Sequence, residues 1–88
     1  MAEPLQPATV EEVKDEQAIF NECWKLIKKY GNLASMGNVK EWGELMDAAR
    51  DLAHRNRGTV CEMLAERMTL ATVLHIEARA KGREGRGK

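Results

Sequence analysis

The chain has 88 residues, 43% hydrophobic and 32% charged, and its 14 basic side chains balance its 14 acidic ones to a net charge of zero. A chain this short makes one domain that buries only roughly 60 to 65% of the surface exposed when unfolded, so its stability is marginal unless self-association or another device supplements it. Neutrality excludes the strongly basic balance of a dedicated nucleic-acid or membrane-surface binder. Two cysteines, Cys23 and Cys61, without a CxxC or Cys/His cluster, provide neither a disulfide framework nor a zinc site, and a reduced cytosolic setting follows.

Residues 1–8 hold Glu3 and two prolines but no basic stretch before an apolar run, and read as a flexible segment and not as a secretory signal. No apolar stretch approaches the roughly 18 residues that span a bilayer. The rest of the chain, residues 9–81, is punctuated by three helix starts, in which a capping side chain is followed three residues later by a glutamate: Thr9 with Glu12, Asn38 with Glu41, Thr59 with Glu62. Gly31, Gly58 and Gly82 each follow a basic stretch and mark the stops.

The first helix, predicted over 10–30, repeats Ile19, Phe20, Cys23, Trp24, Leu26, Ile27 and Tyr30 at three- and four-residue steps, a broad apolar face. Glu12 and Glu16 fall on the side of Ile19 and Cys23, which predicts that the first turns overhang the core in solvent. A short connection follows, in which Leu33 and Met36 are expected to tuck beneath the helices. The second helix, predicted over 39–56, turns Trp42, Leu45, Met46, Ala49, Leu52 and Ala53 inward and Lys40, Glu44, Asp47, Arg50, Asp51 and His54 outward. A turn of about four residues then makes the second and third helices neighbours.

The third helix, predicted over 60–81, is apolar around most of its circumference. Val60, Met63, Leu64, Met68, Leu70, Ala71, Leu74 and Ala78 form one half, while Ala65, Val73, Ile76 and Ala80 dot the other. Three helices alone leave part of this surface uncovered, which predicts a homodimer through the third helix, with Leu64, Arg67, Met68, Ala71, Leu74 and His75 at the interface and Arg67 meeting an acid of the partner helix. Residues 82–88, glycine-rich and basic, read as a flexible tail. The fold class is all-α, a three-helix bundle.

Three chemistries compete for this scaffold. Helix, short glycine-containing turn, helix is the outline of a helix-turn-helix, and the tail residues Lys81, Arg83, Arg86 and Lys88 could add phosphate contacts; the start of the third helix, however, presents Glu62 and Glu66, which repel phosphate. Glu41, Glu44 and Asp47 with Glu62 and Glu66 are similar in outline to the ExxE motif of all-helical nucleoside triphosphate pyrophosphohydrolases, which hold magnesium between helices. Here the second motif has the wrong spacing and Glu44 and Asp47 point away from the apolar face, so surface ion pairing accounts for them better. No cofactor or metal is therefore expected. The third reading is protein binding, through the acidic first turns (Glu11, Glu12, Asp15, Glu16) or the acidic outer face (Glu44, Asp47, Asp51).

One wider pattern favours the third reading. A helix with Phe20, Trp24 and Ile27 ending in Lys28-Lys29-Tyr30, then Glu41-Trp42 with Leu45, Ala48-Ala49 and Leu52, then Leu64, Ala71, Leu74 and Glu77, resembles a group of short uncharacterised all-helical proteins encoded by phages and prophages of Gram-positive bacteria. The resemblance spans residues 20–77 and leaves both charged ends unmatched. It implies an accessory protein of a mobile element that works in the bacterial host cytosol by binding a host or phage protein, for which inhibitors of host defence systems such as anti-CRISPR proteins are the analogy. No enzymatic activity is implied.

Overall fold

The computed structural model describes residues 4–86, with side chains described as far as Arg83. It is all-α: α1 spans Lys14–Tyr30, α2 Val39–Arg55 and α3 Glu62–Arg86. Ile19 and Cys23 of α1 meet Leu52 of α2 and Ala65 of α3, with Cys61 just before α3, in one core cluster. Tyr30 and Leu33 meet Leu45 of α2 and Ile76 of α3 in a second. The order of contacts along each helix means that α2 runs antiparallel to both others, while α1 and α3 point the same way. No buried side-chain nitrogen or oxygen among the described residues lacks a hydrogen-bond partner.

The predicted start of α1 falls four residues early. The capping box forms as its spacing predicts, with the Thr9 amide donating to Glu12 Oε1 at 2.9 Å and the Glu12 amide donating to Thr9 Oγ1 at 3.2 Å. The turn it closes stops at Val13, whose backbone (φ −115°, ψ 23°) leaves the helical region before α1 begins. At the other end Gly31 stays right-handed (φ −65°) and does not supply a left-handed stop. Its carbonyl is met instead by two guanidinium groups of α3: Arg79 Nε donates to Gly31 O at 3.1 Å and Arg83 donates to the same oxygen at 2.9 Å.

That clasp explains why α3 runs through the predicted stop at Gly82. Arg79 and Arg83, four residues apart, sit one above the other only if the helix continues, and Arg83 also donates to Leu33 O and Asn32 Oδ1. The expected flexible tail over 82–88 is thus helix as far as Arg86, and its remaining residues, Gly87 and Lys88, lie outside the described ones. Within the first connection Leu33 is buried as expected, but Met36 is exposed. Asn38 sits in the left-handed region and turns its Oδ1 back to the Ala34 amide, 3.0 Å away, so it does not cap α2 as predicted.

The second connection is governed by Gly58 at φ +81°, a left-handed stop where glycine carries no Cβ penalty. The third capping box is shifted by one residue: Glu62 Oε1 accepts from the Gly58 amide at 2.7 Å and Thr59 Oγ1 from the Cys61 amide at 3.1 Å.

The largest correction concerns α3. Its inner face is built from Ala65, Thr69, Thr72, Ile76 and Ala80, with Leu64 and Met68 packed at its edge, while Met63, Leu70 and Leu74 face out, so the half richest in large apolar side chains is divided between core and surface. Threonine is admitted because each hydroxyl bonds back into its own helix: Thr69 Oγ1 donates to Ala65 O at 2.8 Å and Thr72 Oγ1 to Met68 O at 2.7 Å. Small side chains there let α3 lie close against α1 and α2, where the leucines would not fit.

Candidate interaction surfaces

The acidic first turns divide in two. Glu11 pairs with Lys14 at 3.9 Å and Glu12 is spent on its cap, both in solvent. Hydrogen bonds from the Thr9 backbone and side chain hold the Glu12 carboxyl below the usual glutamate range. Asp15 and Glu16, by contrast, lie beside Cys61, whose thiol is pushed up by burial first and then by the Glu16 and Asp15 carboxylates. Glu16 is half-buried, so of the turns expected to overhang the core the one with Glu11 and Glu12 stands in solvent, while Glu16 rests beside the start of α3.

The outer face of α2 is not a continuous acidic patch. Glu44 accepts from the Tyr30 hydroxyl at 3.4 Å, Asp47 lies 4.0 Å from Arg50, and Asp51 accepts from Arg55 Nε at 2.9 Å. Exposed pairs of this kind contribute only about 0.3 to 0.5 kcal/mol each, but they interleave the two signs along the face. Glu62 is spent on Gly58, and among the described residues no three acidic, histidine or cysteine side chains converge on one point. The basic residues predicted for the tail are likewise separated: Lys81 lies 3.7 Å from Glu77, and Arg83 is engaged by the end of α1. Arg86 ends α3, and Lys88 lies outside the described residues.

Of the residues expected at a dimer interface, Leu64 and Met68 are turned inward against the first core cluster, whereas Arg67, Ala71, Leu74 and His75 are exposed. What periodicity did not find is the apolar surface that packing leaves outside. Phe20 (48% exposed) and Trp24 (58%) stand one turn apart on α1, with Lys28 Nζ 5.9 Å from the Trp24 ring centre. On α3, Met63, Leu70 and Leu74 are 67%, 56% and 52% exposed. Between α2 and α3 a shallow groove of about 220 Å³, walled by Met46, Ala49, Ala53, Thr69, Leu70 and Val73, joins the α3 surface at Leu70. The signal for Trp24 was present in its sequence: it falls at the edge of the α1 apolar arc, where one flank is left without a neighbour once α2 and α3 are placed.

Fold and surface together define an all-α protein of three helices that carries its apolar excess on the outside of α1 and α3. Comparison with protein-family models, curated proteins and solved structures finds no match to this chain. No helix among the described residues is long and apolar enough to cross a membrane.

Proposed function

We propose that this chain is a stoichiometric protein-binding factor, and that it acts by occupying a surface of a larger protein and not by turnover. The observation that carries this reading is the exposed Phe20–Trp24 pair. Each ring gives a large rigid contact area at little entropic cost, and tryptophan is among the side chains most enriched at binding hot spots. The resemblance to phage and prophage proteins supplies the setting: a mobile-element accessory factor in the bacterial cytosol, whose target is a host or phage protein and, by analogy with anti-CRISPR proteins, a component of host defence. In this reading the three helices form a bundle that pairs with a second copy through α3 and leaves α1 free for the target.

Affinity capture from host lysate at moderate salt, with and without nuclease and read by mass spectrometry, tests the proposal. The expected result is one protein recovered in stoichiometric amount after nuclease treatment. The double variant Phe20→Ser, Trp24→Ser should bind that protein at least about thirtyfold more weakly, as loss of a hot spot worth ~2 kcal/mol or more requires, with unchanged helicity. Recovery of nucleic acid alone, or undiminished capture by the double variant, would overturn it.

A further inference from the structure

We infer that the outer face of α3 is an antiparallel self-association seam, in which Arg67 of one copy meets the partner's Glu77 on each side of a Leu70–Leu74 centre. This rests on the reading above that α3 is the pairing surface, and assigns that surface its orientation and register.

Met63, Arg67, Leu70, Leu74, Glu77 and Lys81 are all exposed and follow one another at alternating four- and three-residue steps. That spacing is the seam of a two-helix coiled coil, sustained for about 27 Å at ~1.5 Å per residue. Leu70 and Leu74 are central, with Arg67 on their N-terminal side and Glu77 and Lys81 on their C-terminal side, an arrangement that one pairing satisfies. In an antiparallel pair with its two-fold axis at the level of Thr72, Leu70 faces the partner's Leu74 and the reverse, Arg67 faces the partner's Glu77 and the reverse, and Met63 lies along the stem of the partner's Lys81. Every contact occurs twice, as two-fold symmetry demands.

The alternatives set like charges on each other or charges on leucines. A parallel pair in register sets Arg67 on Arg67, Glu77 on Glu77 and Lys81 on Lys81, three like-charge contacts at short range. Sliding the antiparallel pair by one seven-residue repeat puts Leu70 and Leu74 against Lys81 and Glu77 in one direction, or Leu70 against Arg67 in the other. Charged residues at seam positions reduce affinity but select orientation and register, and here they select one. Within its own chain Arg67 has no ion-pair partner among the described residues, and Glu77 has only the exposed Lys81, so both are free to change partners. Their exposure also means that substituting them leaves the core intact.

The test is sedimentation of the full chain across a concentration series, with circular dichroism to confirm folding. The native chain is expected to form a dimer. Arg67→Glu alone and Glu77→Arg alone each create two like-charge contacts and should weaken the dimer at least about tenfold. Combining both substitutions in one chain restores opposite charges across an antiparallel seam and should recover dimerisation, whereas in a parallel pair it would leave like charges facing. A native chain that stays monomeric at high concentration overturns α3 pairing altogether. A native dimer that either single substitution leaves unchanged, or that the double substitution fails to restore, keeps self-association but overturns this register.

Discussion

Thr9 and Glu12 show how much a pair of exposed residues can decide. The glutamate carboxylate accepts from the Thr9 amide and the threonine hydroxyl accepts in return, so the charged form is favoured over the protonated one and the carboxyl titrates below its unfolded value. A depressed carboxyl contributes its stabilisation above the unfolded pKa and loses it as the pH falls through the folded one. The Thr9 amide resonance, followed by NMR through an acid titration, should therefore shift with a midpoint below the ordinary glutamate value, and Thr9→Ala should raise that midpoint by removing the hydroxyl. A midpoint at the ordinary value in the native chain would mean that the box does not form in solution. Trp42 illustrates the same economy inside the fold: its indole Nε1 donates to Ala34 O at 2.8 Å, so a half-buried ring also ties the first connection to α2.

At the level of elements, the ends of helices were readable and their faces less so. The Gly58 and Glu62 signals mark ends that exist, and the Thr9–Glu12 box closes its turn although α1 starts four residues later, because capping depends on neighbours within four residues. What moved α3 past Gly82 was a contact some fifty residues away in sequence, the Arg79 and Arg83 clasp on the end of α1, which no local pattern contains. The inner face of α3 is hard to read from sequence for a related reason: Ala65, Thr69, Thr72 and Ala80 carry little hydrophobic signal, and space between two neighbouring helices selects them for size. Leu70 and Leu74 carry more signal and ended outside. The clasp also yields a prediction. Arg83→Ala removes hydrogen bonds to Gly31 O and Leu33 O, and should lower unfolding free energy by about 1 to 2 kcal/mol in urea titration and fray α3 beyond Lys81. If stability and helix content were both unchanged, the clasp would not be what extends α3.

For the molecule as a whole, core and surface are poorly balanced. Its radius of gyration of 16.4 Å exceeds the ~12 Å expected of a compact domain of this length. The buried apolar set is small, and Leu45, fully enclosed in the cluster that joins α1, α2 and α3, carries much of it. Leu45→Ala should therefore cost about 2 to 5 kcal/mol, a large part of the stability of a domain this size, measured as a lowered urea midpoint. A loss under 1 kcal/mol would mean that the surrounding helices collapse into the space. The candidate binding surface is legible only in part: the pattern indicates an apolar excess on α3, but that Phe20 and Trp24 of α1 also stand outside is set by how α2 and α3 pack.

The two cysteines have a use that follows from where they lie. Cys23 on α1 and Cys61 just before α3 share one cluster, and both are buried while α1 is docked. Burial and the neighbouring carboxylates keep the Cys61 sulfur protonated and therefore a poor nucleophile. Alkylation at these positions is then limited by how often the helices part, so the chain carries a built-in clock for its own breathing, and any partner that closes over α1 or α3 would slow it.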